Sequence, residues 1–481
     1  MKLSILTSLA FAISLAWPSA AQEDKRDAYP NIIFVMADDM GYGDLKSYNT
    51  KSKIVTPHLA RLAKEGRRFT DAHAPAAVCV PTRYGLMTGR YPFRMKLGRG
   101  PLLEPNRPTL PSVLKQAGYK TAMIGKWHLG VEHEKNPAAN QKLGGGPVEQ
   151  GFDHFYGIPA SLDIPPYYWI HNDRPVAPPS ERISDNNTPG WTRIQGAFWR
   201  GGGIAPGYKH IDVLPIIRDR SADYIEAAAK SDIPFFLYVA LPAPHTPWLP
   251  TKRFEGKTSV SDYGDFVLMV DDLVGCLLGA LDKTKQADET LFIFTSDNGP
   301  VWYSQDVEKY KHSSVGPLRG MKGDAWEGGH RMPFIARWPG HIPAGSKSKE
   351  VICHTDMIAT AAAITGQKLP ANAGEDSYNL LPAFLGKKTK PIREATVHQS
   401  SRRYLAIRQG NWKLIPGLGS GGFSKPSTVK PKKGDPAGQL YNLKNDLGEK
   451  TNLYAKRPKI AKRLTALLEK YKRENRSTPA N

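Results

Sequence analysis

The chain has 481 residues and a formal net charge of +21, with 66 lysines and arginines against 45 aspartates and glutamates. Its hydrophobic content of 40% excludes a largely disordered chain, and its 3 cysteines are too few for a disulfide-stapled scaffold. Because one hydrophobic core rarely serves so many residues, the length predicts two domains.

Residues 1–21 have the pattern of a secretory signal peptide. Lys2 precedes an apolar stretch over residues 3–17, and a cleavage region of small residues follows it. The stretch is short for a membrane span, and the sequence has no second long apolar run. The pattern predicts a periplasmic or secreted protein without membrane association once the signal is removed. An uncleaved membrane anchor is the alternative.

A continuous apolar run over residues 31–36 predicts a strand that is covered on both faces of a parallel sheet. Asp38 and Asp39 follow this run directly. Adjacent carboxylates repel each other unless a cation lies between them, so the pair favours a site for a hard metal ion. The alternative is a solvated pair at a strand end.

The segment 79–90, Cys-Val-Pro-Thr-Arg-Tyr-Gly-Leu-Met-Thr-Gly-Arg, predicts a different kind of site. Pro81 fits the first turn of a helix, which would place Cys79 and Arg83 one turn apart on the same face. The positive end of the helix dipole would then lie beside the cysteine. This arrangement favours a nucleophile next to an anion site, and the alternative is a buried structural thiol.

Three more apolar runs predict buried strands: residues 121–124, 234–240 and 291–295. Each run leads into residues that bind ions or move protons: Lys126 and His128, then His245, then Asp297 and Asn298. Ligands of open α/β sheets bind at the carboxyl edge of the strands, so we expect these side chains to meet there. The acidic members would hold a cation, and the basic members would hold a tetrahedral anion.

A glycine-rich loop that carries Lys322 adds one more cation to this edge, and a fifth predicted strand follows it over residues 333–338. A flexible connection is the alternative. The irregular, aromatic-rich insertion over residues 131–210 would suit a sugar face, with His171 as a contact. We also predict sugar contacts at Glu327 and Arg331, which flank the anion-binding residues in the sequence.

The pattern as a whole predicts an α/β fold with a large, mostly parallel central sheet flanked by helices. Residues 22–400 would form this catalytic domain, and residues 401–481 a small sheet with one helix. The second segment has 19 lysines and arginines against 5 acidic residues, which favours sulfated polysaccharide over nucleic acid as a partner outside the cytoplasm. The alternative is a charged face that only keeps the protein soluble. We predict that Cys276 and Cys353 are buried free thiols.

The motif C-x-P-x-R followed by L-x-T-G-R resembles the signature of the formylglycine-dependent type I sulfatases, in the arylsulfatase A and N-acetylgalactosamine-6-sulfatase group of the alkaline phosphatase superfamily. The resemblance extends from Asn31 to about Leu453. It departs from the common pattern at Thr82 and Tyr84, where many members have serine and a small residue. It implies an alkaline-phosphatase-like fold and an enzyme that hydrolyses sulfate esters.

Carried over position by position, the resemblance implies that a formylglycine-generating enzyme oxidises Cys79 to an aldehyde whose hydrate is the nucleophile. It implies one Ca2+ ion bound by Asp38, Asp39, Cys79, Asp297 and Asn298. It also implies a set of residues around the sulfate: Arg83, Lys126, His128, Ser161, His245 and Lys322. In the implied mechanism Asp297 is the base, His245 protonates the leaving alcohol with Lys322 as a second candidate, and His128 helps a hydroxyl proton leave.

The basic surface and the aromatic insertion favour a sulfated carbohydrate as the substrate, of the galactose or N-acetylgalactosamine type. Two alternatives stay open at the level of the sequence. One is a phosphoesterase or phosphonate hydrolase of the same superfamily, which would use a similar anion pocket. The other is a basic protein that binds sulfated glycans without hydrolysing them.

Overall fold

The computed structural model describes residues 29–479 except for residues 97, 99, 193, 388 and 389. The predicted signal peptide lies outside the described residues. Within them, every helix is too short or too polar to cross a membrane.

The described chain contains strands with these bounds: β1 (Asn31–Asp38), β2 (Arg67–His73), β3 (Lys120–Lys126), β4 (His154–Ile158), β5 (Ile170–His171), β6 (Arg174–Pro175), β7 (Glu181–Ile183), β8 (Gly202–Ile204), β9 (Phe235–Pro244), β10 (Thr290–Ser296), β11 (Arg331–Arg337), β12 (Ser346–Ser348), β13 (Ile352–Cys353), β14 (Thr396–Gln399), β15 (Leu405–Gln409), β16 (Trp412–Ile415) and β17 (Gln439–Asn442). Its α-helices have these bounds: α1 (Pro57–Glu65), α2 (Cys79–Thr88), α3 (Leu110–Gln116), α4 (Val213–Ala228), α5 (Ser261–Lys283), α6 (Ser304–Tyr310), α7 (Glu327–His330), α8 (Met357–Ile364), α9 (Leu381–Phe384) and α10 (Pro458–Arg473).

The main sheet has eleven strands in the order β12-β2-β11-β10-β1-β9-β3-β4-β5-β6, with β13 paired to β2. The central strands β10, β1, β9, β3 and β4 are parallel, whereas β11 runs antiparallel to β10 and to β2. The predicted α/β class with a mostly parallel sheet is therefore confirmed. The sequence analysis missed β2 because its residues alternate irregularly between charged and apolar types.

Helices cover both faces of the central strands, which explains why β1 is apolar without alternation. Neighbouring residues on β1 point to opposite faces, and both Ile33 and Phe34 are fully buried. One group of helices that contact one another consists of α1, α4 and α5, and a second group consists of α2, α3 and α8. The sheet therefore lies between two helical layers, with its carboxyl edge at one end of the sandwich.

The register of the central strands brings their polar ends together. Ala37 pairs with Ser296 on β10, and Asp38 pairs with Pro244 at the end of β9. Gly125 lets β3 approach β9 closely at the same edge, because a Cβ at this position would lie 1.9 Å from the carbonyl oxygen of Ala240. The residues that follow these strands are therefore neighbours in space.

A second, antiparallel sheet has the order β14-β15-β16-β17 and lies beside the main sheet. One face packs on α10 through Ile407 and Leu414, which share a core with Leu464 and Tyr471 of that helix. The other face packs on Trp326 of the main fold. This sheet begins at β14, which we had not predicted as a strand, and the division after residue 400 stays a prediction.

The described cysteines are free, as predicted. Cys353 is buried, but Cys276 is only half-buried, so the prediction of burial was wrong for that residue. Its thiol interacts with the charges of Arg218 and Asp272, which places it beside a charged part of the α4–α5 contact rather than in the apolar core.

Candidate active site

Cys79 is the first residue of α2, and Arg83 follows it one turn later, as the motif predicted. Val78 is extended and leads the chain into the helix, while Pro81 lies in its first turn. The side chain of Arg83 is fully buried. A buried guanidinium needs acceptors, and it donates to Asp297 Oδ2 at 2.9 Å and to the carbonyl oxygen of Lys126 at 3.0 Å.

The unusual tyrosine of the motif is accommodated away from Cys79. The Tyr84 hydroxyl donates to Glu104 Oε1 at 3.2 Å and accepts from Arg90 Nη1 at 3.0 Å. Thr82 donates to the carbonyl oxygen of Ala76 at 3.0 Å. Both departures from the common pattern therefore serve local packing of α2.

Around Cys79 the structure brings together residues from the ends of three strands, β1, β3 and β10, with one cation from α2 and one from the glycine-rich loop. We call this group the strand-end cluster: Asp38, Asp39, Arg83, Lys126, Asp297, Asn298 and Lys322. Carboxylates and cations alternate in it. Lys126 Nζ contacts Asp38 Oδ2. Lys322 Nζ lies 2.7 Å from Asp39 Oδ1 and 2.8 Å from Asp39 Oδ2. Each cation of the cluster is thus paired with a buried carboxylate.

The cations control the ionisation of these carboxylates. Burial alone would raise the pKa of Asp38, but Lys126 and the other nearby cations hold it well below its usual value. Burial and the negative charge of Asp38 raise the pKa of Asp297. For Lys322, the attraction of Asp39 outweighs burial and raises the pKa. Asp38 and Asp297 thus compete for the positive charges of Lys126 and Arg83. A metal cation would relieve that competition.

The cluster fits a calcium ion by an observation independent of the motif. Asp38 Oδ1 and Asn298 Oδ1 are buried oxygen atoms without a hydrogen-bond partner in the described part of the chain. Ligand atoms of Asp38, Cys79 and Asp297 lie within 4.8 Å of one another, and so do those of Asp38, Asp39 and His245. Unpartnered buried oxygens are costly, and a set of carboxylate and amide oxygens suits a hard cation.

Two histidines and a serine complete the predicted site. His245 Nε2 lies 3.7 Å from Asp39 Oδ2, while its Nδ1 lies 2.5 Å from the carbonyl oxygen of Thr246. That carbonyl holds the proton on Nδ1 when the ring is neutral. His128 has a left-handed backbone with φ of 58°, and burial followed by the charge of Lys126 lowers its pKa well below the usual value.

Ser161 lies on the loop after β4, and its buried hydroxyl has no hydrogen-bond partner among the described residues. This loop runs beside the loop after β3, since His128 N–H donates to the carbonyl oxygen of Pro159 at 2.9 Å. The same loop carries Asp163, which the sequence analysis had not selected. Its Oδ1 lies 3.9 Å from His245 Nδ1, and its Oδ2 lies 2.5 Å from Arg200. Asp163 lies two residues after Ser161, and this spacing was the sequence signal that could have identified it.

The residues predicted as sugar contacts have partners other than the strand-end cluster among the described residues. His171 lies on β5 and is exposed, and its ring contacts His154 and Tyr156. Glu327 and Arg331 are buried and pair with each other at 3.0 Å. Glu327 and Arg331 therefore turn into the interior, while the exposed His171 stays a predicted sugar contact.

Glu327 belongs to a second buried group, which we call the histidine cluster: Asp71, His73, Glu327, His330, His398, Arg408, Lys413 and Glu449. Lys413 Nζ lies 2.9 Å from both Glu327 Oε1 and Glu449 Oε1. Arg408 Nη2 donates to Asp71 Oδ2 at 2.7 Å. The cluster joins β2 and α7 of the main fold to β14, β15 and β16 of the second sheet and to the segment after β17.

Comparisons with known proteins agree with this geometry. The sulfatase family model matches residues 30–367. An N-acetylgalactosamine-6-O-sulfatase of Bacteroides thetaiotaomicron is 34% identical, and the match covers 92% of this chain and 93% of that protein. Arylsulfatase A of Homo sapiens is 33% identical, with 94% of this chain and 86% of that protein covered.

Solved structures show the same relationship. A Bacteroides thetaiotaomicron structure described as 6S-sulf, from work on the metabolism of multiple glycosaminoglycans, has a TM-score of 0.81 and 33% identity over 92% of this chain and 99% of that chain. A sulfatase from Pseudoalteromonas sp. has a TM-score of 0.75 and 25% identity, and the match covers 95% of this chain and 93% of that chain. The chain therefore belongs to the sulfatase family and is a sulfuric ester hydrolase.

Proposed function

We propose that this enzyme removes sulfate from a sulfated carbohydrate of the galactose or N-acetylgalactosamine type, at the strand-end cluster. The observation that carries the proposal is the group of three buried cations, Arg83, Lys126 and Lys322, beside Cys79 and three carboxylates. Relatives whose names specify N-acetylgalactosamine-6-sulfate esters support the sugar type. The predicted secretion to the periplasm or the medium belongs to the same proposal.

The cations would bind the sulfate oxygens. A sulfate ester that is hydrolysed gains charge on its equatorial oxygens and on the leaving oxygen, and fixed cations in a water-poor pocket stabilise that charge strongly. Arg83 is held by Asp297, so its guanidinium is already oriented before substrate binds. Lys126 and Lys322 are oriented in the same way by Asp38 and Asp39.

Cys79 would have to be modified for this chemistry. Burial raises the pKa of its thiol, so an unmodified Cys79 stays protonated at neutral pH and is a poor nucleophile. Formylglycine at this position would supply a hydrated aldehyde whose hydroxyl attacks sulfur, and Ca2+ held by Asp38, Asp39, Asp297 and Asn298 would neutralise charge there.

The remaining residues would move protons. His245 is placed at the edge of the cluster, where its Nε2 can donate a proton to the leaving sugar oxygen when the ring carries protons on both nitrogens. Asp297, whose pKa burial raises, is the candidate base for the attacking hydroxyl. His128 is held neutral by burial and by Lys126, which leaves it able to accept a proton when the product leaves.

The test is sulfate release by protein that has been produced together with a formylglycine-generating enzyme. The substrates would be 6-sulfated N-acetylgalactosamine, 6-sulfated galactose, an aryl sulfate and the matching phosphate ester. We expect release from one of the sugars, an aldehyde at Cys79 by mass spectrometry, and no release by Cys79→Ala with an unchanged circular dichroism spectrum. Activity of Cys79→Ala, or a clear preference for the phosphate ester, would contradict the proposal.

A further inference from the structure

The loop between β16 and β17, residues 416–438, carries a concentration of positive charge that the reaction at Cys79 does not use. We call it the basic loop. Four of its side chains are exposed lysines: Lys425, Lys430, Lys432 and Lys433. Asp435 is the only acidic residue of the loop. Its Oδ2 accepts a hydrogen bond from the backbone N–H of Lys432 at 2.8 Å. Among the described ion pairs none involves these four lysines.

The base of the basic loop packs on the segment that follows Lys322. The backbone N–H of Ala325 donates to the carbonyl oxygen of Ser420 at 2.7 Å. The backbone N–H of Ser424 donates to Oδ1 of the buried Asp324 at 3.0 Å. The loop is thus anchored by the same short segment that presents a sulfate-binding lysine.

The contact is close enough to fix the position of the loop. A Cβ on Gly422 would lie 2.2 Å from the carbonyl carbon of Gly323, so the two backbones touch. Ser401 N–H donates to the carbonyl oxygen of Gly323 at 2.8 Å, and the exposed Arg402 and Arg403 follow it directly. The exposed cations therefore begin within a few residues of the candidate active site.

A second basic surface provides the comparison. The helix α10 exposes Lys459, Lys462 and Arg463 on one side. Its apolar side packs on the face of the second sheet that is opposite to Trp326, together with Tyr91, and these cations lie on the solvent side of the helix. Charge on α10 contributes to the net charge of the protein, whereas the basic loop is anchored through Ser420 and Ser424 to the segment that follows Lys322.

We propose that the basic loop, with Arg402 and Arg403, binds a sulfated polysaccharide chain beyond the sulfate group that is hydrolysed. A sulfated polysaccharide is an extended polyanion, and a row of flexible, exposed lysines attracts it without a requirement for sequence or exact geometry. Such attraction is screened by salt within about 10 Å at 0.1 M ionic strength. The inference rests on the proposed function, since it concerns the substrate of the same site.

The experiment compares two triple variants that each remove three positive charges. One is K430A/K432A/K433A on the basic loop, and the matched control is K459A/K462A/R463A on α10. We would measure kcat/KM at low salt for a multiply sulfated N-acetylgalactosamine oligosaccharide and for the monosulfated monosaccharide. The loop variant should lose about tenfold on the oligosaccharide and less than twofold on the monosaccharide. The control variant should lose less than twofold on both.

Added salt sharpens the result. The advantage of the wild-type protein on the oligosaccharide should shrink as NaCl rises, and the loop variant should show a weaker salt dependence. Equal losses in the two triple variants would overturn the inference, because total charge and not its place would then matter. Equal losses on both substrates would also overturn it, because the loop would then belong to the pocket for the scissile sulfate.

Binding separates this inference from the proposed hydrolysis. In the Cys79→Ala background no substrate is consumed, so the Kd of the same oligosaccharide can be measured for the parent and for both triple variants. A weaker Kd for the loop variant alone supports the inference even if no sulfate is released by any form. Binding of double-stranded DNA through the loop as tightly as of the oligosaccharide would overturn it.

Discussion

The strand-end cluster and the histidine cluster are both buried groups of carboxylates, cations and histidines, yet they differ in how completely their carboxylate oxygens are paired with cations. In the histidine cluster, Glu327 Oε1 meets Lys413 at 2.9 Å and Glu327 Oε2 meets Arg331 at 3.0 Å. In the strand-end cluster, Asp38 Oδ1 and Asn298 Oδ1 have no partner among the described residues. In the histidine cluster His398 Nε2 and Glu449 Oε1 lack a hydrogen-bond partner among the described residues, but that carboxylate oxygen lies 2.9 Å from Lys413 Nζ. Oxygens that face no cation mark a place for a ligand, whereas carboxylates that face cations mark a structural joint.

The difference follows from where each cluster lies. The strand-end cluster sits at the carboxyl edge of parallel strands, where the chain leaves the sheet and a ligand can enter. The histidine cluster lies between the main fold and the second sheet, where packing closes on it from both sides. Substitutions in the first should therefore affect activity more than stability, and substitutions in the second should do the reverse.

The largest effect on stability is expected for Lys413→Met. The loss of the Lys413 ammonium leaves Glu327 and Glu449 buried without the cation that they share. The free energy of unfolding should therefore fall by about 3–5 kcal/mol. Lys283→Met, which breaks an exposed pair with Glu226, should cost less than about 1 kcal/mol. Urea titrations measure both. If Lys413→Met lowers the free energy of unfolding no more than Lys283→Met does, the histidine cluster is not the structural joint that the comparison makes it.

The largest effect on activity is expected for Lys126→Met. This change removes one of the cations that stabilise the charge that develops on the sulfate, and kcat/KM for the monosaccharide should fall about 100- to 1000-fold. The folded protein should lose less stability than Lys413→Met, because Asp38 also lies near Arg83. Steady-state kinetics and thermal melts on one preparation test this pair of expectations. Near-normal turnover would show that Lys126 does not bind the reacting group.

Calcium should stabilise the protein through the strand-end cluster. A ligand that binds only the folded state at 100 times its Kd adds about 2.7 kcal/mol to the free energy of unfolding. We expect Ca2+ to raise the melting temperature and chelation with EGTA to lower it. Asp39→Asn should reduce this response, whereas Glu149→Gln on the surface should keep it. An unchanged response in Asp39→Asn would place the ion elsewhere.

Acid should destabilise the region of the histidine cluster. Burial lowers the pKa of His73, His330 and His398, and it lowers the pKa of the adjacent His354 to about 3. The unfolded chain takes up protons on these residues below a pH of about 6.5 while the folded chain does not, so stability falls as pH drops below that value.

For His354 alone the loss between pH 6.5 and pH 5 is about 2 kcal/mol. Melting temperatures between pH 8 and pH 5 should show this slope in the wild-type protein, and His354→Gln should show a smaller slope. A variant with the full wild-type slope would mean that other groups cause the acid sensitivity.

Much of the candidate site was predictable because its residues follow strong local signals. Apolar runs such as residues 31–36 predict parallel strands, and parallel strands bring their carboxyl ends to one edge, so Asp38, Lys126 and Asp297 were expected at that edge. The strand order β10-β1-β9-β3 then makes them neighbours. The C-x-P-x-R spacing placed Cys79 and Arg83 on one helix face for the same local reason. The sequence by itself thus determined the fold class and the edge of the sheet at which the candidate residues lie.

Only the tertiary structure decided how the charges pair. Lys322 meets Asp39 across 283 residues, and Lys413 meets Glu327 across 86 residues. No local pattern determines such pairs, because they depend on which surfaces pack together. For this reason Glu327 and Arg331, which flank the site in the sequence, point into the interior, while the base of the basic loop packs on Asp324, 100 residues earlier in the chain.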